Sequence, residues 1–160
     1  MSRRIKFTVI IFIAVLLYAC DSSRVYEENI AVTGAIWNKD SLARFDVRIS
    51  DTRTPHNVYI NVRNMGDYRF KNLFLFITVT SPAGNSVKDT FDCVLADDRG
   101  KWYGSGIGDL YDNQILYKGN IIFPDTGIYT FQYEQAMRMD KWGGNLEGIS
   151  DIGLRVEKMK

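Results

Sequence analysis

Hydrophobic positions along the chain fall into two regimes. From Phe7 to Ala19 the residues carry no charge. Beyond Arg24, apolar and polar residues alternate. Leu42–Ile49 sets Phe45, Val47 and Ile49 on one side and Arg44, Asp46 and Arg48 on the other, the period of two expected of a half-buried strand. Asn57–Arg63 repeats that pattern. Leu73–Val79 is apolar on both faces, which predicts a central strand or one with a covered outer face. Val87–Leu95 and Ile152–Glu157 add two strands, and Ile115–Phe123 and Gly127–Tyr133 are expected to form a hairpin through Pro124-Asp125-Thr126. Ser81-Pro82-Ala83-Gly84-Asn85 is a turn, with Pro presetting φ and Gly accepting positive φ. Asp97-Asp98-Arg99-Gly100 is a second turn. Glu134–Met139 is expected to carry the strand of Phe131 and Tyr133 into a loop, broken by Gly143, Gly144 and Asn145. Seven or eight strands predict an all-β fold, a single β-sandwich of jelly-roll or immunoglobulin-like type.

The apolar N-terminal run is read differently. Arg3, Arg4 and Lys6 precede it, and it is shorter than the ~20 residues a spanning helix needs. That is the layout of a secretory signal peptide. It ends in Leu17-Tyr18-Ala19-Cys20, which resembles the lipobox of bacterial lipoproteins, with Tyr18 where a small residue is usual. The resemblance implies a diacylglycerol on the sulfur of Cys20 and cleavage before it. A thioether at Cys20 cannot pair with Cys93, the only other cysteine. Cys93 shares an alternating face with Phe91 and Leu95 and is expected to be a small buried apolar residue. The expected organisation is a lipoprotein signal peptide over 1–19, a lipidated N-terminus and short tether over 20–28, and a β-sandwich over 29–160. Two or more acyl chains hold a protein stably where one does so marginally. The first expected partner is therefore a membrane, in the cell envelope, with the outer membrane favoured.

Charge narrows the function classes. Lys and Arg number 20 against 19 Asp and Glu, and no basic run exceeds two residues, so nucleic acid is not an expected partner. Catalytic side chains are sparse. His56 is the one histidine, expected in a solvated turn at Thr54-Pro55-His56-Asn57. No His and Cys residues have metal-ligand spacing. Asp97-Asp98 and Asp109/Asp112/Asn113 do not match the alternating ligands of a calcium loop and read as turn formers. The expectation is a non-enzyme with no cofactor beyond the lipid on Cys20. Gly100–Asp109 holds four glycines but lacks the Gly-Lys-Ser/Thr close of a phosphate loop; it reads as a bulge or a close backbone approach. Trp102, Tyr103, Tyr111 and Trp142 form either an exposed platform for a sugar ring or protein partner, or part of the core.

Several ordered blocks carry a wider resemblance: the lipobox at Cys20, Trp37–Ser41, Tyr59–Asn64, Tyr68–Phe76, Pro82–Gly84, Asp89-Thr90, Gly100–Trp102 with Gly104–Gly106, Phe123 with Gly127–Phe131, Gln135–Arg138 and Leu146–Glu157. Together they resemble the gliding motility lipoprotein GldH family of Bacteroidetes. The resemblance implies an envelope lipoprotein required for gliding and tied to type IX protein secretion, acting beside other gliding and secretion lipoproteins and envelope proteins. It implies no catalytic residues, and transfers Cys20 alone as a functional position. A surface glycan-binding lipoprotein of a polysaccharide-uptake system is the alternative.

Overall fold

A computed structural model describes residues 21–138 and 143–159. The expected signal peptide over 1–19, Cys20 and Trp142 lie outside the described residues. Ten strands follow in order: β1 Arg24–Ala31, β2 Ile36–Asn38, β3 Ala43–Ile49, β4 His56–Met65, β5 Asn72–Thr80, β6 Ser86–Val94, β7 Leu110–Ile121, β8 Gly127–Gln135, β9 Asn145–Glu147 and β10 Ile149–Lys158. Eight of them make two four-stranded sheets, ordered β1-β10-β4-β7 and β3-β8-β5-β6, with every pairing antiparallel. Apart from the β5–β6 hairpin, successive strands of these eight alternate between the two sheets, the order of a jelly roll. The short β2 and β9 pair separately through Trp37 and Leu146.

The alternating sequence explains the layering. Phe45, Val47 and Ile49 of β3 share one core with Val58, Ile60 and Val62 of β4 and with Leu73, Leu75, Ile77, Phe131, Ile152 and Leu154. Burying side chains of this size stabilises by roughly 1.5–3 kcal/mol each before the entropy of ordering is charged. Cys93 is buried as expected, and burial pushes its thiol well up in pKa. Leu73–Val79 does form a central strand. The outer face of β5 is partly covered: the Lys88 ammonium lies 4.6 Å over the Phe76 ring, and Met137 Sδ accepts from the Phe74 amide.

Four expectations are corrected. First, Ile115–Phe123 and Gly127–Tyr133 are not a hairpin. β7 pairs with β4 while β8 pairs with β3 and β5, so Pro124-Asp125-Thr126 carries the chain between sheets. Phe123 plugs that crossing, 4.8 Å from Tyr129 and 5.3 Å from His56 between ring centroids. Periodicity identified both strands but carries no information on their partners. Second, His56 is 1% exposed and opens β4; Phe123 covers it, and desolvation lowers its pKa. Third, Asp112 and Asn113 lie within β7, where Asp112 pairs with Arg63. Fourth, the tether does not extend to residue 28. β1 begins at Arg24, and the Asp21 carboxylate already bonds Ser23 and Arg155 of β10, hydrogen bonds that hold its pKa down to about 2.

Strand direction divides the ends of the sandwich. β1 starts at the end where β10 finishes and β4 begins. That end carries residues 21–23 and the short connections 50–55, 81–85 and 122–126. The opposite end carries the longer segments 32–42, 66–71, 95–109 and those flanking β9. Ten-residue strands separate the two ends by about 30 Å.

Candidate functional site

The remote end is organised by the 95–109 loop. Asp97 builds its first turn: Asp97 Oδ1 accepts the Arg99 and Lys101 amides, each at 2.9 Å, and Gly100 takes φ 80°. The chain then folds back on itself. The Tyr103 amide donates to the Leu95 carbonyl at 2.9 Å, and Ala96 bridges to Trp102. Past Tyr103 the loop lies directly on β7, with Ser105 and Asp112 exchanging both backbone hydrogen bonds. Its glycines are required by proximity. A Cβ on Gly106 would stand 1.7 Å from the Leu110 carbonyl oxygen, and one on Gly104 would stand 2.9 Å from the Asn113 amide. The close-approach expectation for this stretch is met.

Trp102 packs between Tyr68 and Tyr111, with ring centroids 6.3 and 5.8 Å away, and Phe70 continues the row beyond Tyr68. Tyr68 is buried, its hydroxyl donating to the Asn72 carbonyl at 2.9 Å. The structure therefore brings Trp102 and Tyr111 together as a half-buried pair. It sends Tyr103 outward, 65% exposed, near the loop tip where Ile107 is 94% exposed. Leu42, Ile36 and Leu110 add exposed apolar surface at the same end.

Beneath the loop, Asn64 and Asn113 form a buried amide pair. Asn113 Nδ2 donates to Asn64 Oδ1 at 2.9 Å and reaches the Val62 and Tyr111 carbonyls at 3.2 Å. Asn64 Nδ2 donates to the Met65 carbonyl. Buried amides need such partners, and these tie β4 to β7 beneath the loop. Neither residue stands out in the sequence as half of a pair. Its only signal is an Asn on the inward phase of each of two alternating strands, at Asn64 and Asn113. On the outward face of the same sheet, Arg63 pairs with Asp112 and Asp151, and Asp112 raises its pKa. Among the described residues no group of His, Cys, Asp and Glu is placed to hold a metal ion. Nor is any helix there long and apolar enough to cross a membrane.

Comparison with known proteins places this arrangement. The pattern of the GldH lipoprotein family matches residues 24–156. The chain is 39% identical over 160 residues to the gliding motility lipoprotein GldH homolog of Christiangramia forsetii, covering 97% of this chain and 98% of that one. It is 35% identical over 153 residues to the gliding motility lipoprotein GldH of Flavobacterium johnsoniae, covering 94% of each. A chain in the structure of infectious bursal disease virus Gx strain overlaps 88% of this one and 33% of its own, at 16% identity and a TM-score of 0.37. That last likeness is too weak to carry an argument. Full-length matches at these identities, together with the family pattern across the sandwich, establish that the chain belongs to the GldH lipoprotein family.

Proposed function

We propose that this protein is a non-enzymatic lipoprotein, held to an envelope membrane by acyl chains on Cys20, that supports gliding motility and type IX protein secretion by stabilising the machinery. Membership of a family named for gliding motility carries the reading. The fold is compatible with it. Asp21 is bound to β10 directly after the lipidation position, so an anchored domain would sit against its membrane. The loop bearing Tyr103 and Ile107 would then face away, about 30 Å distant. A stable protein interface buries about 800 Å² per partner, and this end, with Trp102 and Tyr111 behind it, is the surface we assign to that contact.

An in-frame deletion compared with its parent tests the function. Loss of secreted cargo from the medium, restored by the wild-type gene, supports the reading; an unchanged secreted proteome overturns it. The anchor is tested by Cys20→Ala, which is expected to leave an unacylated precursor that no longer incorporates labelled palmitate.

A further inference from the structure

The outward face of the β1-β10-β4-β7 sheet holds a second site, bordered at the β7 edge by Ser105 of the loop just described. Strand register aligns Asn29, Gly153, Asn61 and Gln114 in one row across all four strands. Asn61 Nδ2 donates to Asn29 Oδ1 at 3.2 Å, and Gln114 Nε2 donates to Asn61 Oδ1 at 3.3 Å. The link from Asn29 to Asn61 passes over β10 only because residue 153 has no side chain. A Cβ there would stand 1.9 Å from Asn29 Oδ1. Glycine in the interior of a strand weakens it, and here it makes room for a continuous row of amides.

Taller side chains flank this low row on both sides. Two residues toward the N-terminal end stand Arg155, Tyr59 and Leu116, and two residues the other way stand Asp151, Arg63 and Asp112. The walls are four residues apart along each strand, about 13 Å between Cα rows, and the floor crosses four strands at about 4.8 Å spacing. The cavity over the amide row and the Asp151, Arg63 and Asp112 side, closed by Glu27 and Ser105, is about 360 Å³.

Its chemistry limits the ligand. The amides present donors and acceptors side by side, which suits adjacent hydroxyl groups. Both wall arginines are already paired with carboxylates, which outnumber them, so the trough offers no free cation to hold an anion. Tyr59 and Leu116 offer apolar surface next to the amides. A peptide adding as a strand needs an open sheet edge, whereas this floor is made of side chains on strands already paired. We propose that the trough binds an extended neutral glycan lying across the strands. This goes beyond the secretion reading and stands or falls independently of it.

The test is NMR titration of the full chain in detergent with cellotetraose, laminaritetraose and tetra-N-acetylchitotetraose. The side-chain amide signals of Asn29, Asn61 and Gln114 are the readout. A saturable shift of these signals is expected, with affinity at least tenfold weaker in Asn61→Ala and in Gln114→Ala. Gln114 lies on an edge strand, so its variant keeps the fold if Asn61→Ala does not. Response to the hexose tetramers alone would point to a polysaccharide source, and response to the N-acetylated tetramer alone to a cell-wall backbone. No saturable shift up to millimolar concentration with any of the three overturns the proposal. So does a shift confined to the Tyr103 loop, or unchanged affinity in Gln114→Ala.

Discussion

Asn61 on β4 donates a hydrogen bond to Asn29 on β1 at 3.2 Å, although β10 runs between them. Strands two apart in a sheet are separated by about 9–10 Å. The contact exists because Gly153 lies under it with no Cβ to obstruct.

Gly153→Ala is therefore expected to destabilise the domain. The new methyl group meets Asn29 Oδ1 and also stands 2.7 Å from the Glu28 carbonyl oxygen. Overpacking of this kind costs about 1–3 kcal/mol. Denaturant titration should show the loss. Adding Asn29→Ala should recover only part of it, because the Glu28 carbonyl remains; full additivity of the two changes would contradict the geometry.

Tyr133 gives the opposite sign. Its hydroxyl is buried in the core with no hydrogen-bond partner, and burial holds its pKa well above the ordinary value. An unsatisfied buried donor costs roughly 1–3 kcal/mol. Tyr133→Phe keeps the ring against Phe45, 5.1 Å away, and is expected to be neutral or to raise stability by about 1 kcal/mol. A melting temperature lowered by several degrees would reveal a partner for the hydroxyl.

His56 makes stability fall as pH drops below about 6.5. Burial favours its neutral form and lowers its folded pKa, with Lys158 acting the same way and Asp51 opposing. The unfolded chain therefore binds the proton more readily. Stability is whole above the unfolded value of about 6.5 and falls as pH drops toward the folded pKa, by at most about 1.4 kcal/mol per pH unit. The wild-type melting temperature should fall over this range, and His56→Phe should flatten the profile. An equal slope in both proteins would assign the effect elsewhere.

The loop aromatics should separate by role. Trp102→Ala removes the ring between Tyr68 and Tyr111 and should cost about 2–4 kcal/mol, near the range for large-to-small changes at buried sites. Tyr103→Ala and Ile107→Ser alter exposed side chains and should leave stability within about 0.5 kcal/mol. If this end docks a partner, the latter two should still fail to complement a deletion strain. Full complementation by the double variant would move the docking surface elsewhere.

Much of this protein was legible in one dimension. Phe45, Val47 and Ile49 alternate with charged residues because a strand presents successive side chains to opposite faces, so strand identity and the buried set could be read directly. The turns at Gly84 and Gly100 were legible because positive φ is cheap for glycine. The close approach at Gly104 and Gly106 was expected in kind, though not its target on β7.

Pairing was not legible. The same alternation fits a hairpin or a crossing between sheets, so it does not reveal that Pro124–Thr126 crosses or that His56 lies beneath Phe123. The buried Asn64–Asn113 pair and the Asn29–Gly153–Asn61–Gln114 row escaped for the same reason. Each residue lies on a different strand, and its neighbours are set by register. Sequence determined which face each residue takes, a property local to its own strand. Tertiary structure alone decided which strands lie side by side, because that choice minimises the free energy of the whole sandwich at once.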